Sequence, residues 1–203
     1  MMRKHLIALV AFVLLLAPVF AMAENNALNQ YTHPEGLYSF QYPDGWTAMD
    51  RQYIDSLVSV GTSLEDEDLA QFISQYSSMI EEMDMLMLLY KDGATNVNIS
   101  YQDTGMPADD AVLLMLSKGV VDQFRTSMPD VTFITEGALV DIGENRCCMI
   151  EYTYPTYGIE LYGAQVFISG EEKLYSLTYT SLADTADAQA VDFADLLTSL
   201  QVK

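Results

Sequence analysis

Two cysteines and two histidines are the residues of this chain that could form a nucleophile and its base. Cys147 and Cys148 are neighbours, and on a strand their side chains point to opposite faces of the sheet. A disulfide between neighbours closes an empty loop and cannot staple a fold, so we expect two buried free thiols, with a strained vicinal disulfide as the alternative. A cysteine hydrolase would need His33 within hydrogen-bond reach of one thiol. This is a remote alternative, because His5 lies in the N-terminal segment that we expect to be cleaved, and one remaining histidine with a mid-strand cysteine pair is not the usual pattern.

Other catalytic patterns are missing from the sequence. The chain has no G-x-S-x-G elbow and no glycine loop of the kind that cradles phosphates. It also has no histidine and cysteine spacing typical of zinc sites. We therefore expect a protein that is not an enzyme, uses no cofactor, and has no catalytic, cofactor-binding or metal residues to assign.

A methionine cluster is the one pattern that could hold a soft metal. Met79, Met83, Met85 and Met87 lie within nine residues, and thioethers can bind Cu(I). On a strand, Met83, Met85 and Met87 would share one face. Flexible core packing explains the same pattern, so copper binding is the alternative and packing is the expectation.

An acidic run at residues 65–68 could contribute to a Ca²⁺ site, because hard cations prefer clustered carboxylates. The run lacks the glycine and the twelfth-position glutamate of an EF-hand loop, and adjacent residues on a helix fan around its axis. We expect these side chains to complement the N-terminal end of a helix dipole instead.

Tyrosines are concentrated near the C-terminal end of the chain and could form an aromatic platform for a peptide or a sugar. A half-buried sheet also favours tyrosine, so core packing is the competing explanation. Residues 154–158 carry Pro155 and Gly158 and should form an exposed loop tip. The candidate partner-binding residues are Tyr154, Tyr157 and Tyr162.

The first 23 residues have the three parts of a secretory signal peptide. Two basic residues precede an apolar run from Leu6 to Leu16, and Ala21-Met22-Ala23 provides the small residues that a signal peptidase recognises. An uncleaved anchor is the alternative because the segment approaches the length of a membrane span, but Pro18 argues against it. We expect cleavage near Ala23, secretion to the periplasm or the cell exterior, and no stable membrane insertion afterwards.

The charge of the chain excludes one class of partner. Twenty-nine acidic and nine basic residues give a net charge of −20. Such a field repels phosphate backbones, so we expect no nucleic-acid binding. A high net charge keeps a protein soluble, which is sufficient to explain the acidic composition. Binding of a cation or a basic partner is the more specific alternative.

The remaining chain is predicted to be one α+β domain over residues 35–203, preceded by a flexible segment at 24–34. A helix is expected over 63–83, and a second begins near Pro107 with Val112, Met115, Leu116, Gly119 and Val120 as its buried face. A third begins near Asp184. Strands are expected at 37–42, from Trp46, and at 84–91, 95–101, 131–141, 146–155, 159–168 and 173–180.

Short turns between these strands imply antiparallel pairing. The strand at 146–155 is apolar on both faces, so it should be central and covered on both sides. Helices before, between and after the strands can provide that cover. The expected architecture is an antiparallel β-sheet sandwiched between helices.

Two strings resemble the PsbP-like α/β/α sandwich superfamily. Residues 36–46, GLYSFQYPDGW, are similar to the opening hairpin of that group, and residues 174–180, LYSLTYT, with the following helix are similar to its closing strand and helix. The resemblance implies the sandwich fold. It carries no catalytic residues, because none belong to the superfamily as a whole.

These observations predict a secreted, non-enzymatic domain that binds a protein or peptide partner or supports an envelope assembly. An extracellular Cu, Ca²⁺ or small-ligand binding protein is the alternative from a different class.

Overall fold

The computed structural model describes residues 28–53 and 85–203. The predicted helix over 63–83 lies outside these ranges. The elements of the described residues are β1 (Asn29–Thr32), β2 (Tyr38–Tyr42), β3 (Trp46–Met49), β4 (Leu86–Tyr90), β5 (Asn96–Asp103), α1 (Asp110–Ser127), β6 (Thr132–Ile142), β7 (Asn145–Thr156), β8 (Ile159–Ser169), β9 (Lys173–Leu182), α2 (Ala186–Ser199) and β10 (Gln201–Val202).

A seven-stranded antiparallel sheet forms the middle layer, in the order β3-β4-β5-β9-β8-β7-β6. Strands β6 to β9 follow one another as hairpins, as the short turns between them predict. Strand β7 is covered on both faces, as expected, but it lies next to the edge strand β6. The central strand is β9, which pairs with β8 on one side and with β5 on the other. Helix α1 lies in the connection that leads from β5 to β6.

A second sheet of three strands has the order β1-β2-β10. The predicted hairpin between residues 37–42 and Trp46 is therefore wrong, because β2 and β3 belong to different sheets. Both edges of β2 are already paired, with β1 on one side and β10 on the other. Strand β3 instead pairs with β4, where Trp46 lies opposite Tyr90.

The prediction of a flexible segment at 24–34 is wrong for the residues that form β1. All four residues of β1 pair with β2, and the Tyr31 ring stacks on Phe40 with 5.5 Å between centroids. His33, directly after the strand, is only 7% exposed. The segment is polar in composition, but its alternate aromatic side chains pack against the core.

The two faces of the large sheet carry separate cores. On one face the sheet packs against α2 and the small sheet, through residues that include Phe40, Tyr179 and Phe193. On the other face it packs against α1, through residues that include Ile150 and Phe124. The predicted α+β sandwich is confirmed, with the small sheet as an additional part of one outer layer.

The buried face of α1 differs from the prediction. Its buried residues are Leu113, Ser117, Val121 and Phe124, whereas the predicted core residue Met115 is 65% exposed. The helix carries apolar residues around most of its circumference, so periodicity alone does not determine which side turns inward. No helix among the described residues is long and apolar enough to cross a membrane.

Candidate functional site

The three tyrosines predicted to bind a partner do not form one surface. Tyr154 is 5% exposed and packs in the core beneath α1, and this burial raises its pKa to about 12. Tyr162 is half-buried and faces the other core, where its hydroxyl donates a 2.7 Å hydrogen bond to Glu151. Tyr157 alone of the three projects into solvent, with 90% of its surface exposed.

Tyr157 occupies the tip of the β7–β8 hairpin. The last paired residues are Thr156 and Ile159, so Tyr157 and Gly158 form a two-residue turn. Both have positive φ angles, 47° for Tyr157 and 84° for Gly158, which is the pattern of a type I′ turn. Among the described residues, Tyr157 is the one non-glycine residue with positive φ. Asparagine, aspartate or glycine normally occupies this position, because a bulky side chain there is strained.

The two cysteines are free and buried, as predicted. Cys147 packs in the core with α2, and Cys148 packs in the core with α1. The Cys147 thiol donates a 3.5 Å hydrogen bond to the carbonyl of Asn145. Burial raises the pKa of Cys147 to about 11, which is the opposite of the shift that activates a nucleophilic thiol.

His33 lies far from the cysteines. Its ring contacts Tyr38, with 4.9 Å between centroids, and meets Tyr101 edge-on. Tyr101 is on β5, and the register from Tyr101 to Cys147 runs through β9 and β8. Three strand spacings correspond to about 14 Å, so this geometry does not form the cysteine–histidine pair that a hydrolase needs.

The methionine cluster is only partly within the described residues. Met85 and Met87 are buried, while Met79, Met83 and the acidic run at 65–68 lie outside the described ranges. Leu86 and Leu88, which alternate with Met85 and Met87 along the chain, belong to the core with α2. Among the described residues, no three His, Cys, Asp or Glu side chains are grouped to hold a metal ion. Copper and calcium binding both stay predictions.

A cavity of about 370 Å³ lies beside β1 and β2. We call it the His33 pocket and define it by the lining residues that give it its chemistry, which are Tyr31, His33, Glu35, Tyr38, Asp50 and Met85. Sequence reasoning missed this site, since residues 24–34 were expected to be loose. The signal that could have indicated it is the alternation of Tyr31 with His33, which follows β1 directly, next to the alternation of Tyr38 with Phe40 in β2.

The His33 pocket combines aromatic rings with carboxylates. Tyr31 and Tyr38 lie 6.0 Å apart between ring centroids, at an interplanar angle of 31°. The Tyr31 hydroxyl donates a 3.2 Å hydrogen bond to Asp50. The second oxygen of Asp50 accepts a 2.8 Å hydrogen bond from the amide of Tyr53. The carboxylate is therefore held in one orientation at the wall of the pocket.

A larger polar cleft of about 810 Å³ runs along β10 and the end of α2. Its polar groups already serve the fold. The hydroxyl of Ser199 accepts a hydrogen bond from the amide of Gln41, and the Asn145 side chain donates to the carbonyl of Leu200. These hydrogen bonds hold α2 and the residues before β10 against neighbouring elements, so these polar groups of the cleft have a structural role.

No family model and no curated protein matches the chain. Solved structures do match at low identity. The cyanobacterial PsbP protein CyanoP from Synechocystis sp. PCC 6803 has a TM-score of 0.53 and 13% identity, over 91% of this chain and 98% of that protein. LpqN of Mycobacterium tuberculosis, described as involved in cell envelope biogenesis, has a TM-score of 0.52 and 12% identity, over 87% of this chain and 91% of that protein.

A protein from Bacteroides thetaiotaomicron has a TM-score of 0.52 and 12% identity over 86% of this chain. This chain spans about half of that protein, 48% of its length. At such identities the likeness concerns the fold alone. The chain has a PsbP-like fold, as the strings at 36–46 and 174–180 predict.

Proposed function

We propose that this PsbP-like domain is a non-enzymatic, extracytoplasmic binding protein that contacts a protein or peptide partner through the tip of its β7–β8 hairpin. The observation that carries the proposal is Tyr157, an aromatic residue that is 90% exposed and held at a φ of 47°. The left-handed backbone at Tyr157 lowers the stability of the free domain, and the exposed ring contributes no burial that would offset this cost. Outliers of this kind cluster where a protein contacts its ligands.

The hairpin is suited to present an anchor residue. Strands β7 and β8 are 12 and 11 residues long and pair from Cys147–Ile168 to Thr156–Ile159, so their tip has little freedom to lose on binding. Ile159, the first residue after the turn, is 40% exposed and adds apolar surface at the tip. Tyrosine is enriched at protein interfaces and at the positions that dominate binding energy, since it gives a large contact area with few rotatable bonds.

The proposed location rests on the N-terminal pattern of a basic head, an apolar run and the Ala21-Met22-Ala23 exit. The envelope role described for LpqN supports an envelope assembly as the setting. The absence of a membrane-crossing helix among the described residues agrees with a domain that acts without stable insertion.

Photo-crosslinking in the producing cell tests the proposal. We place p-benzoylphenylalanine at position 157 and, as a matched control, at Asp195, an exposed residue of α2. Irradiation should give a discrete adduct from position 157 and none from position 195, and the recovered chain should begin at Glu24. Equal labelling at both positions, or no adduct at 157, would contradict partner binding at this tip.

A substitution at the tip separates binding from folding. Tyr157→Asn suits the turn, so urea denaturation should show a gain of about 1 kcal/mol in the free energy of unfolding from relief of the left-handed strain. With the photo-reactive residue moved to position 159, Tyr157→Asn should reduce the yield of the adduct at least tenfold, as expected for the loss of an aromatic anchor. Tyr157→Phe keeps the ring and should retain capture. A Tyr157→Asn variant that is less stable, or that captures the partner fully, would sink the proposal.

A further inference from the structure

The His33 pocket is a second candidate binding site, remote from the Tyr157 tip. Its volume of about 370 Å³ lies within the range of about 300 to 1,000 Å³ that is usual for small-ligand sites. Its walls come from the β1–β2 sheet, from Asp50 and the residues after it, and from the start of β4. Apolar side chains such as Met85 form part of the lining.

Three rings form one wall of the pocket. Tyr31 and Tyr38 meet at 6.0 Å, and His33 lies 4.9 Å from Tyr38 at an angle of 41°. His33 Nδ1 accepts a 3.2 Å hydrogen bond from the amide of Glu35, which fixes the orientation of the ring. The faces of such rings carry negative electrostatic potential and attract cations.

Carboxylates complete the site. Asp50 is fixed by the hydroxyl of Tyr31 and the amide of Tyr53, and Glu35 also lines the cavity. The chain as a whole carries a net charge of −20, which adds to a potential that favours positive ligands. Arg51 is the one cationic residue among the described lining residues, and it is exposed to solvent at the rim.

A neighbouring ring of the same aromatic cluster already holds an ammonium group. Lys173 Nζ lies 4.8 Å from the centroid of Tyr101 and forms an ion pair with Asp103. Tyr101 in turn meets His33 edge-on at 5.8 Å. A ring and a carboxylate thus bind a cation next to His33, and the pocket is lined by groups of the same two kinds.

We infer that the His33 pocket binds an organic cation, with an ammonium or guanidinium group placed between the tyrosine rings and the carboxylates of Asp50 and Glu35. The cation can be a free amine or a lysine or arginine side chain of a peptide, because both present the same group. The apolar lining contacts the alkyl part of the ligand.

Calorimetric titration of the purified protein tests this inference with n-butylammonium as the probe and n-butanol as its neutral counterpart. Saturable binding is expected for the cation and at least fivefold weaker binding for the alcohol. Equal affinity for the two probes, or no binding of n-butylammonium, would overturn the inference. A lysine derivative with both ends blocked distinguishes the sources, since tighter binding than n-butylammonium identifies a peptide and equal binding a free amine.

Substitutions assign the binding to this cavity. Asp50→Asn should weaken n-butylammonium at least fivefold, while Asp195→Asn, the same change on α2, should leave the affinity unchanged. Arg51→Ala should tighten binding, because it removes the one opposing charge among the described lining residues. The near-ultraviolet circular dichroism of Asp50→Asn, compared with that of the unchanged protein, is the folding control. An Asp50→Asn variant with native affinity would place the cation elsewhere and refute the site.

Discussion

Cys147 and Cys148 show how burial sets the chemistry of single residues in this protein. The two thiols lie on opposite faces of β7, and each is enclosed in a different core. Burial raises the pKa of Cys147 from 9.0 to about 11. The thiolate is the reactive form, so burial disfavours reaction at the Cys147 thiol.

We predict that the native thiols react with a disulfide reagent at pH 8 far more slowly than those of the urea-unfolded chain. Since the folded pKa of Cys147 is raised, its stabilising contribution is complete below the unfolded value of about 9 and is lost as the pH rises through about 11. Urea denaturation at a series of pH values should show this loss, on the order of 2 to 3 kcal/mol.

Cys147→Ala is the control, and it should reduce the alkaline loss without removing it. Burial raises the pKa of Tyr152, and partial burial together with the hydrogen bond to Glu151 raises the pKa of Tyr162, so both contribute in the same direction. Thiols that react equally fast in the native and the unfolded chain would show that the cores do not enclose them.

At the scale of elements, the contact between α1 and β6 decides how the helix is oriented. Strand β6 is an edge strand with register shifts between Phe133 and Thr135 and between Glu136 and Ala138. Gly137, within the second shift, has a φ of 108°, and a Cβ there would lie 2.5 Å from the Ser117 hydroxyl. The bulge therefore lets the helix approach with Ser117 inward, and it also interrupts an edge that could otherwise pair with another chain.

We predict that Gly137→Ala costs about 2 to 4 kcal/mol of unfolding free energy, from backbone strain and the collision with Ser117. Gly158→Ala is the matched control, because Gly158 also has positive φ but nothing lies within 4 Å of its Cβ position. It should cost only the strain, about 1 kcal/mol. Urea denaturation measures both variants.

A double variant with Ser117→Gly isolates the contact. The cost of Gly137→Ala should be smaller in that background, since the colliding side chain is gone, and the two changes should be non-additive. Equal costs for Gly137→Ala and Gly158→Ala would mean that the packing of α1 does not depend on the bulge.

For the whole molecule, the dominant property is its excess of negative charge. The chain has twenty-nine acidic and nine basic residues. Among the described residues, the ion pairs of Arg125 with Glu136 and of Arg146 with Asp110 are exposed. Exposed pairs contribute little to stability. Repulsion among the remaining carboxylates opposes the compact state.

We predict that raising the NaCl concentration from 0.02 to 0.5 M increases the stability of the domain, because salt screens this repulsion. The midpoint of thermal unfolding should rise by several degrees, corresponding to about 1 kcal/mol. Lys118→Glu, which removes an exposed cation paired with Asp122, should steepen the dependence on salt. A midpoint that is constant or falls with salt would contradict a role for net repulsion.

The candidate sites show the limit of sequence reasoning at this scale. The sequence alone does not show which of Tyr154, Tyr157 and Tyr162 is exposed. The turn residues Pro155 and Gly158 indicate only that a turn lies close to them. Which tyrosine reaches solvent depends on α1, which covers Tyr154, and on Glu151, which holds Tyr162. The His33 pocket was missed for the same reason, since its walls come from segments that are distant in the chain.

The sequence by itself determined the strands β4 to β9, the free cysteines on opposite faces and the antiparallel sandwich, and it placed the start of α1 near Pro107, three residues before the observed Asp110. These features depend on alternation, turn residues and capping, which act between residues close in the chain. The tertiary structure alone decided that β2 and β3 belong to different sheets, that β1 pairs at all, and that α1 turns Ser117 inward and Met115 outward. Each of these arrangements depends on contacts between residues that are distant in the chain, such as Ser117 with Gly137. Local sequence patterns do not predict such contacts.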